Sequence, residues 1–434
     1  MARVTVVGTG YVGLIQGVCL ADVGHDVVCV DLDESKIEKL SAGIATIYED
    51  GLEPLIKSGL ASGRLRFASP ANGWADLLGE IVFVAVGTPM AENGGANLSY
   101  VRSVADTIAA QATAPLTVVM KSTVPPGTGS ALRDRHLSRA SVRIDYVSNP
   151  EFLREGHAIT DWYHTDRVVI GGENPAALDA VAALYSSLET EIVVTDIASA
   201  ETIKYASNAF LSTKISFINE IANLCDAVGA DIDSVATGIG LDTRIGPAFL
   251  KAGIGYGGSC FPKDTRALDF IATINGYQFD LLKAVIDVNN RQRLLPLIQL
   301  CRALPEMWRR KIAVLGLAFK PMTDDVRESP ALDIVPLLLE DGAQVTMYDP
   351  IAGPLAIDGA ARCGSVWEAL EGSSAAVLVT EWAEFIELDW ARVASVMAEP
   401  RIIFDGRNAL DAAAIEAAGL TYMGVGRAGS HRAS

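Results

Sequence analysis

Residues 3–31 read RVTVVGTGYVGLIQGVCLADVGHDVVCVD. An apolar, β-branched run over 3–8 leads into Gly8, Gly10 and Gly13 in G-x-G-x-x-G order. A second such run ends on Asp31, 18 residues after Gly13. Glycines in that order permit a tight strand-to-helix turn and let the backbone approach a pyrophosphate, whose charge faces the helix N-terminus. Asp31 can bind both ribose hydroxyls of NAD and repels the extra phosphate of NADP. Lys36 is placed to cover the adenosine edge. A glycine triplet alone is weak evidence; with strand, helix and acid in sequence, the stretch specifies a dinucleotide-binding β-α-β unit.

Outward from it, short apolar runs recur at 26–31, 81–86, 117–122, 144–149, 168–172 and 192–196, separated by helical stretches. Continuous apolar strands alternating with helices predict a parallel sheet covered on both faces. From about 197 to 303 the strand pattern stops, and Ile203, Ala206, Phe210, Ile215, Ile218, Ile221 and Leu224 follow a helical spacing. Strand runs return at 311–319, 344–349, 375–380 and 401–406, with Ser329-Pro330 as N-cap and first helical residue and Gly342 as C-cap glycine. The predicted architecture is α/β: strand–helix domains at 1–196 and 304–434 flank a helical segment at 197–303. Both outer domains close their second strand on an acid, Asp31 and Asp349.

Composition bounds the function. The 434 residues carry 53 acidic against 35 basic side chains, a formal charge of −18, which argues against nucleic-acid or anionic-membrane binding. A small phosphate-bearing ligand remains compatible, since it needs only a few local cations. No apolar run reaches the ~20 residues that span a bilayer, and the opening Met-Ala-Arg lacks the layout of a secretory signal. Six cysteines stand singly at 19, 29, 225, 260, 301 and 363, which is neither a disulfide framework nor a zinc site. The expectation is a cytoplasmic protein without metal.

Ligands in open parallel sheets bind beyond the strand carboxyl ends. Those ends carry Thr88-Pro89, Ser122-Thr123 with Val124-Pro125-Pro126-Gly127, and Asn149-Pro150-Glu151-Phe152-Leu153-Arg154-Glu155. Each alone reads as a turn; together they line one edge with hydroxyls and carboxylates. Further on, KAGIGYGGSCFPKD (251–264) packs glycines at 253, 255, 257 and 258 before Cys260. So many glycines are costly unless the backbone must approach something closely. A thiol at a helix start beside Lys263 is expected to have a lowered pKa and act as a nucleophile. The other five cysteines read as buried core thiols. Lys204 and Asn208, four apart, share one helix face, either as a solvated stripe or as donors aimed at a developing oxyanion.

Taken together, GTGYVG, GTP (87–89), KSTVPPGT (121–128), NPEFLREG (149–156), ETIKYASNAFLSTKISFINEIAN (201–223), FLKAGIGYGGSCFPKD (249–264), FKPMTDDVRESP (319–330) and DGRN (405–408) resemble the UDP-glucose/GDP-mannose dehydrogenase family over nearly the whole chain, to about residue 410. The resemblance implies two Rossmann-like doubly wound domains joined by a central helical dimerisation segment, and a homodimer or larger homo-oligomer. It also implies NAD-dependent oxidation of a nucleotide sugar at C6 from alcohol to carboxylate with two NAD consumed. UDP-glucose is the expected substrate, with GDP-mannose or another nucleotide sugar of the family as the alternative.

By the same resemblance Cys260 captures the aldehyde as a thiohemiacetal that becomes a thioester. Lys204 and Asn208 stabilise oxyanion-like intermediates, Asp264 assists hydrolysis, and Thr123 and Glu151 position a water. NAD is expected at Gly8, Gly10, Val12, Gly13, Asp31, Lys36, Thr88, Ser122, Glu155, Lys263 and Arg327. The nucleotide sugar is expected at Glu151, Phe152, Leu153, Lys204, Asn208, Phe249, Lys251, Gly257, Phe319, Lys320 and Arg407, with Arg244 reaching in from a second subunit. Two positions depart from the family's pattern: Asn97 where an acid is frequent, and Met90 where a small hydroxyl residue is. Lys204, Lys251, Lys320, Arg244, Arg327 and Arg407 together imply a locally cationic site within an acidic body.

Overall fold

Two sheets carry the chain in the computed structural model, which describes residues 1–74, 76–353 and 355–427. They belong to two compact units, Met1–Ser207 and Asn208–Ser434, whose division falls inside the helix Ile197–Val228.

The first sheet contains β1 (Arg3–Val7), β2 (Asp26–Val30), β3 (Leu65–Ala68), β4 (Ile81–Val84), β5 (Leu116–Met120), β6 (Ile144–Ser148), β7 (Arg167–Gly172) and β8 (Glu191–Thr195). Their spatial order is β3-β2-β1-β4-β5-β6-β7-β8. The apolar runs are continuous because both faces are covered. Val4, Val6, Ile81 and Phe83 enter one core cluster, while Val7, Val82 and Val84 enter the other. Successive side chains point to opposite faces, so a strand buried on both needs an apolar residue at every position. The expectation of a wholly parallel sheet needs one correction. β7 runs antiparallel to β6, through the short register Val147↔Gly172 and Ser148↔Gly171, and is parallel to β8.

The second sheet contains β9 (Lys311–Leu315), β10 (Gln344–Tyr348), β11 (Ala361–Arg362), β12 (Ala375–Leu378), β13 (Ile402–Asp405) and β14 (Thr421–Gly424), in the order β11-β10-β9-β12-β13-β14 and parallel throughout. Helical residues Ile218, Ala222, Cys225, Ile232 and Leu300 join Ile312, Val314, Val377 and Phe404 in one core, so the helices from 208 onward pack with this sheet. Strands β3, β11 and β14 had no counterpart in the sequence reading. All three are sheet edges; β3 and β11 are only partly covered or exposed, and β14, buried beyond Thr421, is four residues long, so none presents a full apolar run.

Pro330 is the N-cap of the helix Ala331–Glu340 rather than its first residue, with Ser329 Oγ accepting the Ala331 N–H at 3.3 Å. Cys19, Cys29, Cys225 and Cys363 are buried as expected, but Cys301 is exposed, its Sγ 3.6 Å from Asp341. That side chain lies in the last turn of the helix Leu295–Ala303, whose buried positions are Pro296, Gln299 and Leu300.

Candidate active site

In the first unit the glycine turn joins β1 to the helix Tyr11–Asp22. A Cβ on Gly13 would lie 2.0 Å from Gly8 O, and one on Gly8 (φ +99°) 2.6 Å from Ala85 O, so both are required by the protein's own backbone. A Cβ on Gly10 meets nothing within 4 Å. The bare backbone there faces open space at a helix N-terminus, which suits the approach of a pyrophosphate. Asp31 Oδ2 accepts the Thr9 N–H and hydroxyl, each at 2.7 Å, and Oδ1 accepts the Asp33 N–H at 3.1 Å. Burial pushes this carboxyl up, but the Thr9 and Asp33 bonds and the charge of Lys36 outweigh it and hold it below the usual range. The carboxylate is half-buried, ionised and oriented, with acceptor capacity left for a ribose diol.

Asp349, its counterpart in the second sheet, is used differently. Its Oδ2 accepts Leu317 N–H, Ala318 N–H and Trp382 Nε1–H, and its Oδ1 accepts Ile351 N–H and Ala352 N–H, at 2.6–3.1 Å. It is 5% exposed and clamps its own turn. The internal echo therefore carries a second nucleotide-fold geometry, without a second ribose ligand at this position.

Beyond β4 and β5, Thr88 Oγ1 donates to Thr123 O at 3.0 Å and Ser122 Oγ donates to Val86 O at 2.7 Å, tying the two expected cofactor loops together. Glu201 accepts the N–H groups of Gly127 and Gly129 at 2.7 Å each, fixing the turn after Thr123. Burial raises this carboxyl, against those two bonds, to about 7. After β6, the loop carrying Glu151, Phe152, Leu153 and Glu155 is held at Gly156, whose N–H reaches Tyr11 Oη at 2.6 Å and Glu49 at 2.8 Å. Phe152 has the Arg167 guanidinium 3.8 Å from its ring centroid and the Lys204 ammonium at 5.4 Å.

Glu151 and Lys204 form a buried ion pair, Nζ to Oε1 2.8 Å, with side chains 6% and 5% exposed; Oε2 accepts the Leu153 N–H at 2.6 Å. Burial drives the carboxyl up. The Lys204 charge and hydrogen bond, the Leu153 N–H and the charge of Lys121 more than reverse this, leaving Glu151 below its ordinary range. Of the two readings of Lys204, the solvated stripe is excluded by its burial.

In the second unit Cys260 is the N-cap of the helix Phe261–Ile274, with Pro262 in its first turn and Ser259 Oγ 3.6 Å from Sγ. Asp264, one turn on and 2% exposed, accepts Asn208 Nδ2–H at 2.6 Å on Oδ2 and the Lys263 ammonium at 2.5 Å on Oδ1. Thiol, amide, ammonium and carboxylate thus gather at one helix start. Lys263, expected on the cofactor, is engaged here with Asp264.

A cleft of about 240 Å³ in this unit is lined by Phe249, Lys251, Gly257, Phe319, Lys320 and Arg407, together with Asn219, Tyr256, Phe261 and Glu381. What the loop glycines approach closely is protein: a Cβ on Gly257 would lie 2.1 Å from Glu328 O, and one on Gly258 2.6 Å from the Phe319 ring. Arg407 staples three segments by donating to Val379 O, Gly255 O and Phe319 O at 2.6, 3.0 and 3.1 Å. Arg244 does not line this cleft; its side chain is 87% exposed and pairs with Asp242.

The cationic excess expected from counting is smaller than it looked. Lys204, Arg244, Arg327 and Arg407 have carboxylates of Glu151, Asp242, Asp325 and Glu381 at 2.8, 2.5, 2.6 and 3.6 Å. At the departing positions, Asn97 Oδ1 accepts the Ser99 N–H at 3.0 Å, a capping bond an acid could equally make, and Met90 is an exposed bridge partner of Ala96. Sequence reasoning missed Lys121, Tyr185 and Glu201. Lys121 sits inside a quoted motif, whereas Tyr185 has no local signal.

Glycine turn, oriented Asp31 and doubly covered sheet define a dinucleotide-binding protein, with Gly10 and Asp31 fitting NAD. Residues 2–189, 198–291 and 313–412 match, in order, the NAD binding, central and UDP binding domains of the UDP-glucose/GDP-mannose dehydrogenase family. UDP-glucose 6-dehydrogenase TuaD of Bacillus subtilis is 46% identical over 436 residues, covering 98% of this chain and 94% of that one. The structure of a UDP-glucose dehydrogenase from Pyrobaculum islandicum superposes with a TM-score of 0.90 at 38% identity, covering 98% of both chains. A GDP-mannose dehydrogenase from Pseudomonas aeruginosa gives 0.53 at 28% identity, covering 98% of this chain and 99% of that one. The chain belongs to the UDP-glucose/GDP-mannose dehydrogenase family. Among the described residues no helix is long and apolar enough to cross a membrane.

Proposed function

We propose that this chain oxidises the C6 alcohol of UDP-glucose to the carboxylate of UDP-glucuronate, reducing two NAD and consuming one water per sugar. The observation that carries the reading is the thiol at the N-cap of Phe261–Ile274 with Asn208 hydrogen-bonded to Asp264 one turn on, in a chain with an NAD-type glycine turn. A single alcohol oxidation needs a base and a hydride acceptor. Oxidation through to the acid also needs a covalent handle on the aldehyde.

NAD, when bound, supplies the hydride acceptor for both oxidations. Gly10, Asp31, Thr88 and Ser122 would hold it, together with Gly8, Val12, Gly13, Lys36, Glu155, Lys263 and Arg327. Glu151, kept ionised by Lys204, takes up the alcohol proton through a water oriented with Thr123. Cys260 Sγ adds to the C6 aldehyde. Lys204 and Asn208 stabilise the oxygen that becomes negative, and Asp264 assists the water that cleaves the thioester and frees the thiol. Phe249, Lys251, Gly257, Phe319, Lys320 and Arg407 bind the nucleotide sugar, with Phe152 and Leu153 against the hexose. UDP-glucose is favoured over GDP-mannose because the relatives named for it are 46% and 38% identical, against 28%.

The protein acts in the cytoplasm as a homodimer through the helix Ile197–Val228. On that helix Phe210, Phe217 and Leu224, seven residues apart, are 66%, 53% and 54% exposed, and such a stripe calls for a covering surface. Arg244, solvated on its own chain, serves the partner's site. The deciding experiment is a nucleotide-sugar panel read by NADH. UDP-glucose is expected to be preferred and to yield two NADH; preference for GDP-mannose corrects the sugar, and one NADH per sugar defeats the two-step mechanism.

A further inference from the structure

The first unit buries a second ammonium that the chemistry above leaves unused. Lys121, the residue after β5, is 6% exposed, and its Nζ donates to Asn149 Oδ1 at 3.0 Å and to Tyr185 Oη at 3.4 Å. Both partners are neutral. Tyr185 Oη in turn donates to Asn149 Oδ1 at 2.6 Å and accepts from Gln16 Nε2 at 3.0 Å, while Asn149 Nδ2 donates to Val169 O at 2.8 Å. The cluster is held from four separate segments, a costly arrangement for a charge whose only task is packing. Lys121, Asn149, Glu151 and Tyr185 line one cavity of about 30 Å³, roomy enough for a water molecule.

We propose that Lys121 is a positioning residue for the oxidation, acting through the Glu151–Lys204 pair: its charge sets how strongly Glu151 holds a proton. The inference rests on the role given to Glu151 above.

The charged and titratable groups around Lys121 are Glu151, Lys204 and Tyr185, with Asp161 and Arg167 on the same cavity wall. Asp161 is already paired with Arg154 at 2.6 Å and Arg167 lies over the Phe152 ring. Burial lowers Lys121 most, Glu151 raises it, and Lys204 lowers it further, bringing it down to about 7. Burial keeps the Tyr185 hydroxyl protonated. As pH rises through that value the ammonium loses its proton and Glu151 loses one of the charges that suppress its basicity. A more basic Glu151 removes the alcohol proton faster, so kcat rises with pH across this window.

The test is kcat and KM for UDP-glucose from about pH 6 to 8.5 in wild type, Lys121→Met, Lys121→Arg, Tyr185→Phe and Glu151→Gln. Wild-type kcat is expected to rise about threefold or more around pH 7 with KM unchanged. Lys121→Met, permanently neutral, holds the upper plateau throughout, and Lys121→Arg, permanently charged, holds the lower one. Tyr185→Phe removes an acceptor of the ammonium and moves the midpoint to lower pH. Wild-type profiles in both Lys121 variants overturn the inference; if those variants do not fold, an unmoved midpoint in Tyr185→Phe overturns it. A slow Glu151→Gln with unaltered Lys121 profiles defeats this inference alone. A fully active Glu151→Gln defeats the role of Glu151 and this inference with it.

Discussion

Replacing Lys204 with methionine removes one charge of the buried pair and leaves a side chain of similar length. At 2.8 Å and an effective dielectric of ~20, the pair's attraction is about 6 kcal/mol. Desolvation of both ions offsets most of it in the intact protein, so the informative quantity is the cost of stranding the partner, about 3–5 kcal/mol. Lys121 still faces Glu151 and the Leu153 N–H still reaches Oε2, which puts the expected loss at the lower end, about 3 kcal/mol. The sign of the pH dependence follows from Glu151. In the wild type its folded pKa is lowered, so the stability it contributes is present above its unfolded pKa and is lost as pH falls through the folded value. Without Lys204 burial dominates, Glu151 takes up a proton more readily, and acid relieves the stranded charge. The deficit relative to wild type is therefore larger at about pH 8 than at about pH 5. Urea unfolding of the full chain at both pH values measures it, with Glu151→Gln and the double variant completing a cycle. A deficit under about 1 kcal/mol, one independent of pH, or a double variant equal to the sum of the singles within about 0.5 kcal/mol refutes the buried-pair argument.

Cys260→Ser is expected to bind NAD normally yet fail to carry the sugar to the acid; product analysis and NADH counting check this, and wild-type turnover removes the thiol from the mechanism. Asp31 predicts NAD over NADP by at least about tenfold in kcat/KM, since the 2′-phosphate would meet an ionised carboxylate. Asp31→Ser should narrow that ratio by lowering efficiency with NAD, and equal use of both cofactors by the wild type contradicts the reading of that site.

Much of the fold was legible because burial leaves a periodic mark. Strands β4 and β12 are buried at every position and apolar throughout, and β1, β5 and β9 are apolar but for Arg3, Thr5, Thr117 and Lys311, whereas β3 and β11 at the edges are only partly covered or exposed and β14 is a four-residue strand that opens on an exposed threonine. The reversal of β7 left no trace, since strand direction is carried by the connection through 149–166 and not by the strand's own residues. In the site, Gly8 and Gly13 stood out because the backbone there leaves no room for a Cβ, and Gly10, Asp31 and Cys260 because of their places at the helix start, the strand end and the glycine-rich loop. The use proposed for Lys204 and Asn208 came from family resemblance, as spacing alone left a solvated stripe equally open.

The glycine turn from 8 to 13, with Asp31 after it, determined by itself the dinucleotide-binding unit, because turn, helix start and acid are all set within one β-α-β stretch. Tertiary structure decided which charged groups are active charges and which are structural. Asp31 keeps acceptors for a ligand while Asp349 spends its oxygens on five N–H groups. Lys204 is buried against Glu151, which lies 53 residues away in sequence. Lys121 is perturbed by its burial, by Glu151 in the loop after β6 and by Lys204 on the helix Ile197–Val228. Desolvation and Coulomb interaction depend on what surrounds a group in three dimensions, and that surrounding comes from segments too distant along the chain for local pattern to reveal.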